Sequence, residues 1–245
     1  MTSTIRLEYF GAEARLTLSS PDTGNQLTLP DIESAIAAIG DAARRPEVRV
    51  LRLRAEGKSF CLGRAPEAGA PTPLDPETLR NRLVGPILSL YRALHVLDIV
   101  SLAEVQGEAR GLGCALVSAC DMAVASDVAT FSLPEMTKDL PPTLALSALG
   151  RRVQAKSAVS LVLGLATLDA QGALRAGLVG EVVPASALRT RTDEIVAQLS
   201  ERHAIAIATV KRYLRSAQSP DFDLCAELAA SLLSGALPSI RAAKS

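Results

Sequence analysis

The residues able to do chemistry in this 245-residue chain lie in three short stretches. The first is Gly57-Lys58-Ser59-Phe60-Cys61-Leu62-Gly63-Arg64-Ala65-Pro66-Glu67. The second is Val105-Gln106-Gly107-Glu108-Ala109-Arg110-Gly111-Leu112-Gly113-Cys114-Ala115-Leu116, running on to Ala119-Cys120-Asp121. The third is Ala129-Thr130-Phe131-Ser132-Leu133-Pro134-Glu135, with Leu140-Pro141-Pro142 downstream. The second stretch reads as a strand, a glycine-bearing turn and a helix start. The first N–H groups of such a helix lack intrahelical acceptors, and with the helix dipole they favour negative charge. Glycines at a strand–helix turn also serve plain steric needs. A dinucleotide site fits poorly: Gly111-Leu112-Gly113 lacks the third glycine, and no acid follows about twenty residues on. Neither a GxSxG elbow nor a phosphate-binding GxxxxGK[ST] loop occurs, which removes serine-hydrolase and NTPase readings.

Single residues say less. Glu135, taken alone, is a loop glutamate after a proline, ordinarily a solvated group. Cys61 and Cys114 flank the glycine turns but have no evident partner base, and read as buried, inert thiols. His95 reads as a packed or helix-end histidine. Glu108 reads as an exposed carboxylate before a turn, with a second-carboxylate role open if its loop folds inward.

Taken together and in order, the stretches resemble the crotonase (enoyl-CoA hydratase/isomerase) family. That family carries an F-x-x-G-x-D loop, then V-x-G-x-A-x-G-G-G-x-E-L-x-x-x-C-D, then F-x-x-P-E. The likeness starts at Pro21-Asp22 and Asn25-Gln26-Leu27, runs through Gly150, and continues more weakly to Gly177-Leu178-Val179. The resemblance implies a spiral of ββα turns with C-terminal helices, usually assembled as homotrimers or homohexamers. It implies an acyl-CoA thioester substrate, with coenzyme A as part of the substrate and no separate cofactor or metal. The thioester oxygen would sit between the backbone N–H groups of Arg64 and Leu112. Arg64, Ala65, Pro66 and Glu67 would line the path of the pantetheine and adenine. Family hydratases use two glutamates. Here the first position is Ala115, which has no proton chemistry, and the second is Glu135. One carboxylate suffices to move a proton between α and γ carbons through a dienolate, so double-bond isomerisation is favoured. Hydration with Glu135 alone, and a non-catalytic acyl-CoA-binding role, are the alternatives. Ala65-Pro66 also replaces the usual Asp, Pro141-Pro142-Thr143 replaces a glycine turn, and Ser234-Gly235-Ala236-Leu237-Pro238 replaces a basic–aromatic tail.

The elements that must position these residues alternate. Ala14, Leu16 and Leu18 alternate with polar residues as in a half-buried strand, and Val48 to Leu53 alternates with arginine. Asp31 is expected to cap a helix carrying Ile32, Ile36, Ile39 and Ala43. Asp75-Pro76-Glu77 starts another, with the stripe Leu79, Leu83, Ile87, Leu90 and Leu94. Ile99 to Val105, Met122 to Ala125 and Leu178 to Val183 are strand candidates, and the chain beyond Thr143 is otherwise helical. This predicts an α/β class, with a spiral core over residues 1–185 and an oligomer-packing helical segment over 186–245.

Composition sets the outer bounds. Lys+Arg and Asp+Glu are equal at 26 each, so no whole-protein basic field exists for nucleic acid. Aromatics are 3% of the chain, with no Trp, which argues against base-stacking platforms. The cluster Arg44, Arg45, Arg49, Arg52 and Arg54 keeps a nucleic-acid reading open. The four cysteines form no CxxC pair and read as reduced thiols of a cytoplasmic protein, and no His stands at metal-ligand spacing. The richest apolar run, Ala158 to Leu168, is too short to span a membrane.

Overall fold

A computed structural model describes residues 4–66, 75–150, 152–217 and 222–242. Glu67, one of the expected path-lining residues, lies outside the described residues. The chain opens with a hairpin, β1 (Ile5–Phe10) and β2 (Glu13–Leu18), followed by helix α1 (Leu29–Arg44) and strand β3 (Val50–Ala55). Helix α2 (Pro76–Leu79) passes through a π turn (Arg80–Val84) into α3 (Gly85–His95). Then come β4 (Val100–Val105), β5 (Ala109–Arg110), α4 (Leu112–Ala119), β6 (Met122–Ser126) and β7 (Thr130–Ser132). Helices α5 (Thr143–Leu149) and α6 (Ala155–Val162), strand β8 (Leu168–Asp169), α7 (Ala170–Ala176) and β9 (Glu181–Val183) follow, and α8 (Leu188–Ser200), α9 (Ala204–Ser216) and α10 (Phe222–Ala242) close the chain.

A six-stranded sheet runs β1-β2-β3-β4-β6-β9, parallel except for the hairpin. A small second sheet, β5-β7-β8, stands beside it. Parallel neighbours need crossovers, and α1, α3 and α4 supply them. The arginine alternation in β3 is the pleat made visible. Leu51 and Leu53 face the main core with Leu16, Ala103 and Leu116. Val50 faces the other way, with Leu102 and Val124, and this face is covered by Leu188, Ile195 and Val196 of α8.

Arg52 shares that outer face and is 1% exposed. It donates to Glu13 at 2.7 Å, to Glu104 at 3.0 Å and to Thr192 of α8 at 2.9 Å, and pairs with Asp193 at 2.6 Å. The arginine cluster read from sequence is therefore not one cationic surface. Its central member is a buried tie between sheet and helix. Helix α9 is tied down similarly: Lys211, also buried, donates to Ile99 O at 2.6 Å and to Asp121 at 2.5 Å.

Two local expectations are corrected. The N-cap of α1 is Thr28, not Asp31; Thr28-Leu29-Pro30-Asp31 forms a capping box in which each end satisfies the other's N–H. Its buried stripe is Ile32, Ala35, Ala38, Ile39 and Ala42, leaving Ile36 half-buried and Ala43 exposed. The strand expected over Leu178 to Val183 is confined to β9, because Gly177 ends α7 in the left-handed region and Leu178 and Val179 are still bonding back to Ala173. The cap at Asp75 is as expected, its carboxylate accepting from Thr78 N at 2.9 Å.

Candidate active site

Backbone hydrogen bonds stitch the three stretches together. Phe60 N and Cys61 N donate to Glu108 O, and Arg110 N returns a bond to Cys61 O at 2.9 Å. Strand β5 pairs in parallel with β7, setting Ala109 beside Phe131 and Arg110 beside Ser132. Gly111 N then donates to Ser132 O at 2.9 Å. Two side chains, buried Asn25 and half-buried Gln106, brace the approach from β3. Asn25 donates to Glu56 O and Ser59 O, and Gln106 donates to Ala55 O, Gly57 O and Ser59 O. Asn25 belongs to the N-terminal piece of the resemblance, and here its role is to hold the loop that leads to Phe60.

This arrangement sets the two expected N–H donors side by side. Leu27 forms a parallel bridge with Arg64, in which Leu27 N donates to Gly63 O and Ala65 N donates to Leu27 O. That pattern skips the Arg64 N–H. Leu112 is the first residue of α4, so its N–H has no place in the helical ladder. Among the described residues neither N–H has an intramolecular acceptor. A Cβ on Gly63 would lie 3.8 Å from Leu112 N, so the chain entering Arg64 passes directly beside the start of α4. Both N–H groups are thus left without an intramolecular acceptor where the two chain segments meet.

Two glycines make the close approach possible. Gly111 has φ 54° and ψ −120°, and a Cβ there would meet Glu135 Oε1 at 2.8 Å. Gly113 sits so near the first stretch that a Cβ would meet Cys61 O at 2.1 Å. We expect Gly113→Ala to push α4 away from Gly63 and separate the two N–H groups. Turnover on a substrate ester should fall by about 100-fold, the effect of misplacing or losing one such donor, while circular dichroism shows a folded protein. Unchanged turnover would mean that this spacing does not matter to the chemistry.

Glu135 comes from a 3-10 turn, Pro134–Lys138, directly after β7, with Pro134 in its first turn. Its carboxylate reaches back over Gly111. Oε2 is buried and has no hydrogen-bond partner. Burial raises the Glu135 pKa above the ordinary carboxylate value, its own backbone N–H offsetting only part of that. A carboxylate so placed is not the solvated loop group its local sequence suggests. Ala115 is fully buried one helical turn on from Gly111 and contributes no polar group.

The remaining candidates separate cleanly. Ala65 is half-buried and Pro66 exposed beside Arg64. The Arg64 side chain turns to Ala65 O at 3.0 Å. Burial pushes the Cys61 and Cys114 thiols up to about 12 each, so both stay protonated and inert. Glu108 pairs with Arg110 at 3.8 Å, both side chains about two-fifths exposed. His95 sits among Arg215, Arg152, Asp121 and Lys211 at the foot of α9, where partial burial and then these cations lower its pKa. Among the described residues no three His, Cys, Asp or Glu side chains converge as a metal site, and no helix is long and apolar enough to cross a membrane.

One buried titratable residue of the core had no motif to announce it. Tyr91 lies on α3 in phase with Ile87, Leu90 and Leu94, and is 7% exposed. Burial, then the neighbouring ionisable groups Cys114, Glu135 and Cys61, raise its pKa above the ordinary phenol value. The available signal was a tyrosine in an apolar helical stripe, a position where a buried hydroxyl wants a partner.

Comparison with known proteins gives this geometry a context. The sequence profile of a family described as enoyl-CoA hydratase/isomerase matches residues 11–234. The Xenopus laevis protein named mitochondrial enoyl-CoA hydratase domain-containing protein 3 is 32% identical over 198 residues, 80% of this chain and 66% of the relative. The chain thus spans just under two thirds of that relative's length. The short-chain-enoyl-CoA hydratase of Clostridium acetobutylicum is 29% identical over 220 residues, covering 89% of this chain and 83% of the relative. Among solved structures, Pseudomonas aeruginosa AtuE superposes with TM-score 0.89 at 29% identity over 96% of this chain and 92% of the other. An enoyl-CoA hydratase of Mycobacterium smegmatis superposes with TM-score 0.87 at 25% identity over 94% of this chain and 90% of the other.

Proposed function

The chain belongs to the enoyl-CoA hydratase/isomerase family, and from that premise we propose that it is an enzyme acting on an acyl-CoA thioester through an enolate, with Glu135 as its one carboxylate base. The observation that carries this reading is the pair of unused N–H groups, Arg64 and Leu112, on neighbouring stretches, with Glu135 and its unpartnered Oε2 across Gly111. The thioester oxygen accepts from both N–H groups. Glu135 removes a proton from the α or γ carbon of an enoyl ester. The released electron pair spreads through the dienolate onto the thioester oxygen, where each donor contributes about 3–4 kcal/mol. Glu135 then returns the proton at the other carbon, and the double bond has moved. No second acid is needed, which suits Ala115. Coenzyme A is part of the substrate and no separate cofactor takes part.

Hydration is the second reading. It is supported by the names of curated relatives, such as the Clostridium acetobutylicum short-chain-enoyl-CoA hydratase. A homotrimer or homohexamer is proposed on the exposed apolar side chains Leu140, Val159, Leu163 and Leu165, which would otherwise face water. A cytoplasmic location is proposed on the free thiols Cys61, Cys114, Cys120 and Cys225.

The test is deuterium uptake from D2O into saturated, 2-enoyl and 3-enoyl CoA esters, followed by mass spectrometry. Exchange at the α or γ carbon supports enolate chemistry. Mass gain from added water then separates hydration from a shifted double bond. The pH profile carries a further expectation. Glu135 acts as a base only when ionised, and burial has raised its pKa. The rate should therefore fall toward acid with a limb at higher pH than an ordinary glutamate gives. A profile flat through that range would remove Glu135 as the base. Ester binding with no exchange from any member of the panel would favour a non-catalytic binding protein.

A further inference from the structure

We propose that Asn25 is a positioning residue for the reaction: its side-chain amide fixes the segment that places the Arg64 N–H, and so sets the rate of enolate formation without touching the substrate. The proposal rests on the acyl-CoA reading above and adds a residue outside the three stretches on which that reading depends.

Arg64 is held by a short segment that follows β2. Leu62 N donates to Gly24 O at 2.9 Å, Leu27 N donates to Gly63 O at 3.0 Å, and Ala65 N donates to Leu27 O at 2.8 Å. These bonds bracket Arg64 on both sides and leave out its own N–H. All three run to Gly24 or Leu27. If that segment shifts, the Arg64 N–H shifts with it.

Asn25 lies inside that segment and is 1% exposed. Its Nδ2 donates to Glu56 O at 2.8 Å and to Ser59 O at 2.9 Å, and its Oδ1 accepts from Ser20 N at 2.9 Å. Both N–H bonds of the amide are thus taken up by the loop between β3 and Phe60, and its oxygen by the turn that leaves β2. Asn25 N closes the same turn by donating to Ser20 O at 2.9 Å. One amide therefore ties the segment that holds Arg64 to the ends of β2 and β3, which are neighbours in the main sheet.

The residue type fits two needs at once. The backbone is left-handed at Gly24, with φ 64°, and at Asn25, with φ 56°. Asparagine tolerates that conformation better than most side chains do. It also brings two donors and an acceptor on one short stem. Glycine meets the first need alone, and aspartate lacks the donors. The effect should fall on rate more than on affinity, because an N–H aimed at the thioester oxygen gains most as negative charge develops there.

The test is isotope-edited infrared difference spectroscopy of crotonyl-CoA labelled with carbon-13 at the thioester carbonyl, which reads the donors whether or not the ester turns over. Wild type should move the bound C=O band to lower wavenumber, since two N–H donors draw charge onto the oxygen. Asn25→Asp, with an oxygen set against Glu56 O and Ser59 O, should keep about half of that displacement, the share of the Leu112 donor. Its deuterium exchange should slow by about 100-fold while ester affinity changes less than about threefold. Should Asn25→Asp fail to fold, Asn25→Gly, which accepts the left-handed backbone, takes its place with the same expectations. Arg52→Met, weakened on the other face of the sheet, should keep the full displacement in its folded fraction. An Asn25 variant with the full displacement overturns the proposal, whatever its rate. So does an affinity loss as large as the rate loss, or an equal loss of displacement in Arg52→Met, since binding or general stability would then account for the effect. Wild type that leaves the C=O band of bound crotonyl-CoA unmoved, or binds no ester, overturns the thioester reading and this proposal with it.

Discussion

Replacing Glu135 with glutamine is expected to reduce deuterium exchange into a reactive acyl-CoA ester by about 1,000-fold, in the range of removing a positioned general base. The amide keeps the shape of the side chain and its place above Gly111, but it cannot accept a proton from carbon. Ester affinity should change little, since the Arg64 and Leu112 N–H groups that hold the thioester belong to the backbone. The variant should also be no less stable than wild type at neutral pH. The sign follows from burial: the folded-state pKa of Glu135 is raised, so its ionised form is disfavoured in the fold, and the stability it brings is present at low pH and lost as pH rises through that pKa. Glutamine is neutral at every pH and escapes that loss. Comparing exchange rates, ester affinity and melting temperature in the two proteins separates a chemical role from a structural one. An exchange rate within a factor of a few of wild type would place the base elsewhere.

Replacing Arg52 with methionine is expected to cost about 3–5 kcal/mol of stability, the usual consequence of removing one partner from a buried ion pair. Glu13 is 4% exposed and Glu104 is 7% exposed, and both lean on the same guanidinium. Burial alone would raise the Glu13 pKa; hydrogen bonds from Arg52 and Arg15 outweigh it and hold the pKa below the ordinary value. Without Arg52, two carboxylates remain under α8, and Thr192 and Asp193 lose their anchor. Urea denaturation measures the loss as a lower midpoint. The triple variant Arg52→Met, Glu13→Gln, Glu104→Gln should recover much of it, because the penalty lies in the stranded charges more than in any missing attraction. A loss below about 1 kcal/mol for Arg52→Met would show the network to be as weak as an exposed pair. Exchange chemistry should persist in the folded fraction, since this network lies on the sheet face away from Glu135.

What the sequence determined by itself was local or periodic. The alternation of Val48 to Leu53 with arginine announced a strand, Asp75-Pro76 announced a helix start, and Gly111-Leu112-Gly113 after an apolar strand announced a helix N-terminus with free donors. These signals are legible because each depends on neighbours within a turn or a pleat. The motif order singled out Arg64, Leu112 and Glu135 as candidates, and Ala115 marked the position without an acid. What only the tertiary structure decided was which of these residues meet. That Gly63 abuts Leu112 and that Glu135 rises over Gly111 with an unpartnered oxygen are matters of strand register and helix packing. The same holds for Arg52. Its period in β3 says which face it takes, but whether that face is solvent or the underside of α8 depends on residues more than a hundred positions away. Sequence periodicity encodes the direction in which a side chain points; burial, and with it the pKa and hydrogen-bonding state that make a carboxylate a base, depends on what the rest of the chain brings to lie against it.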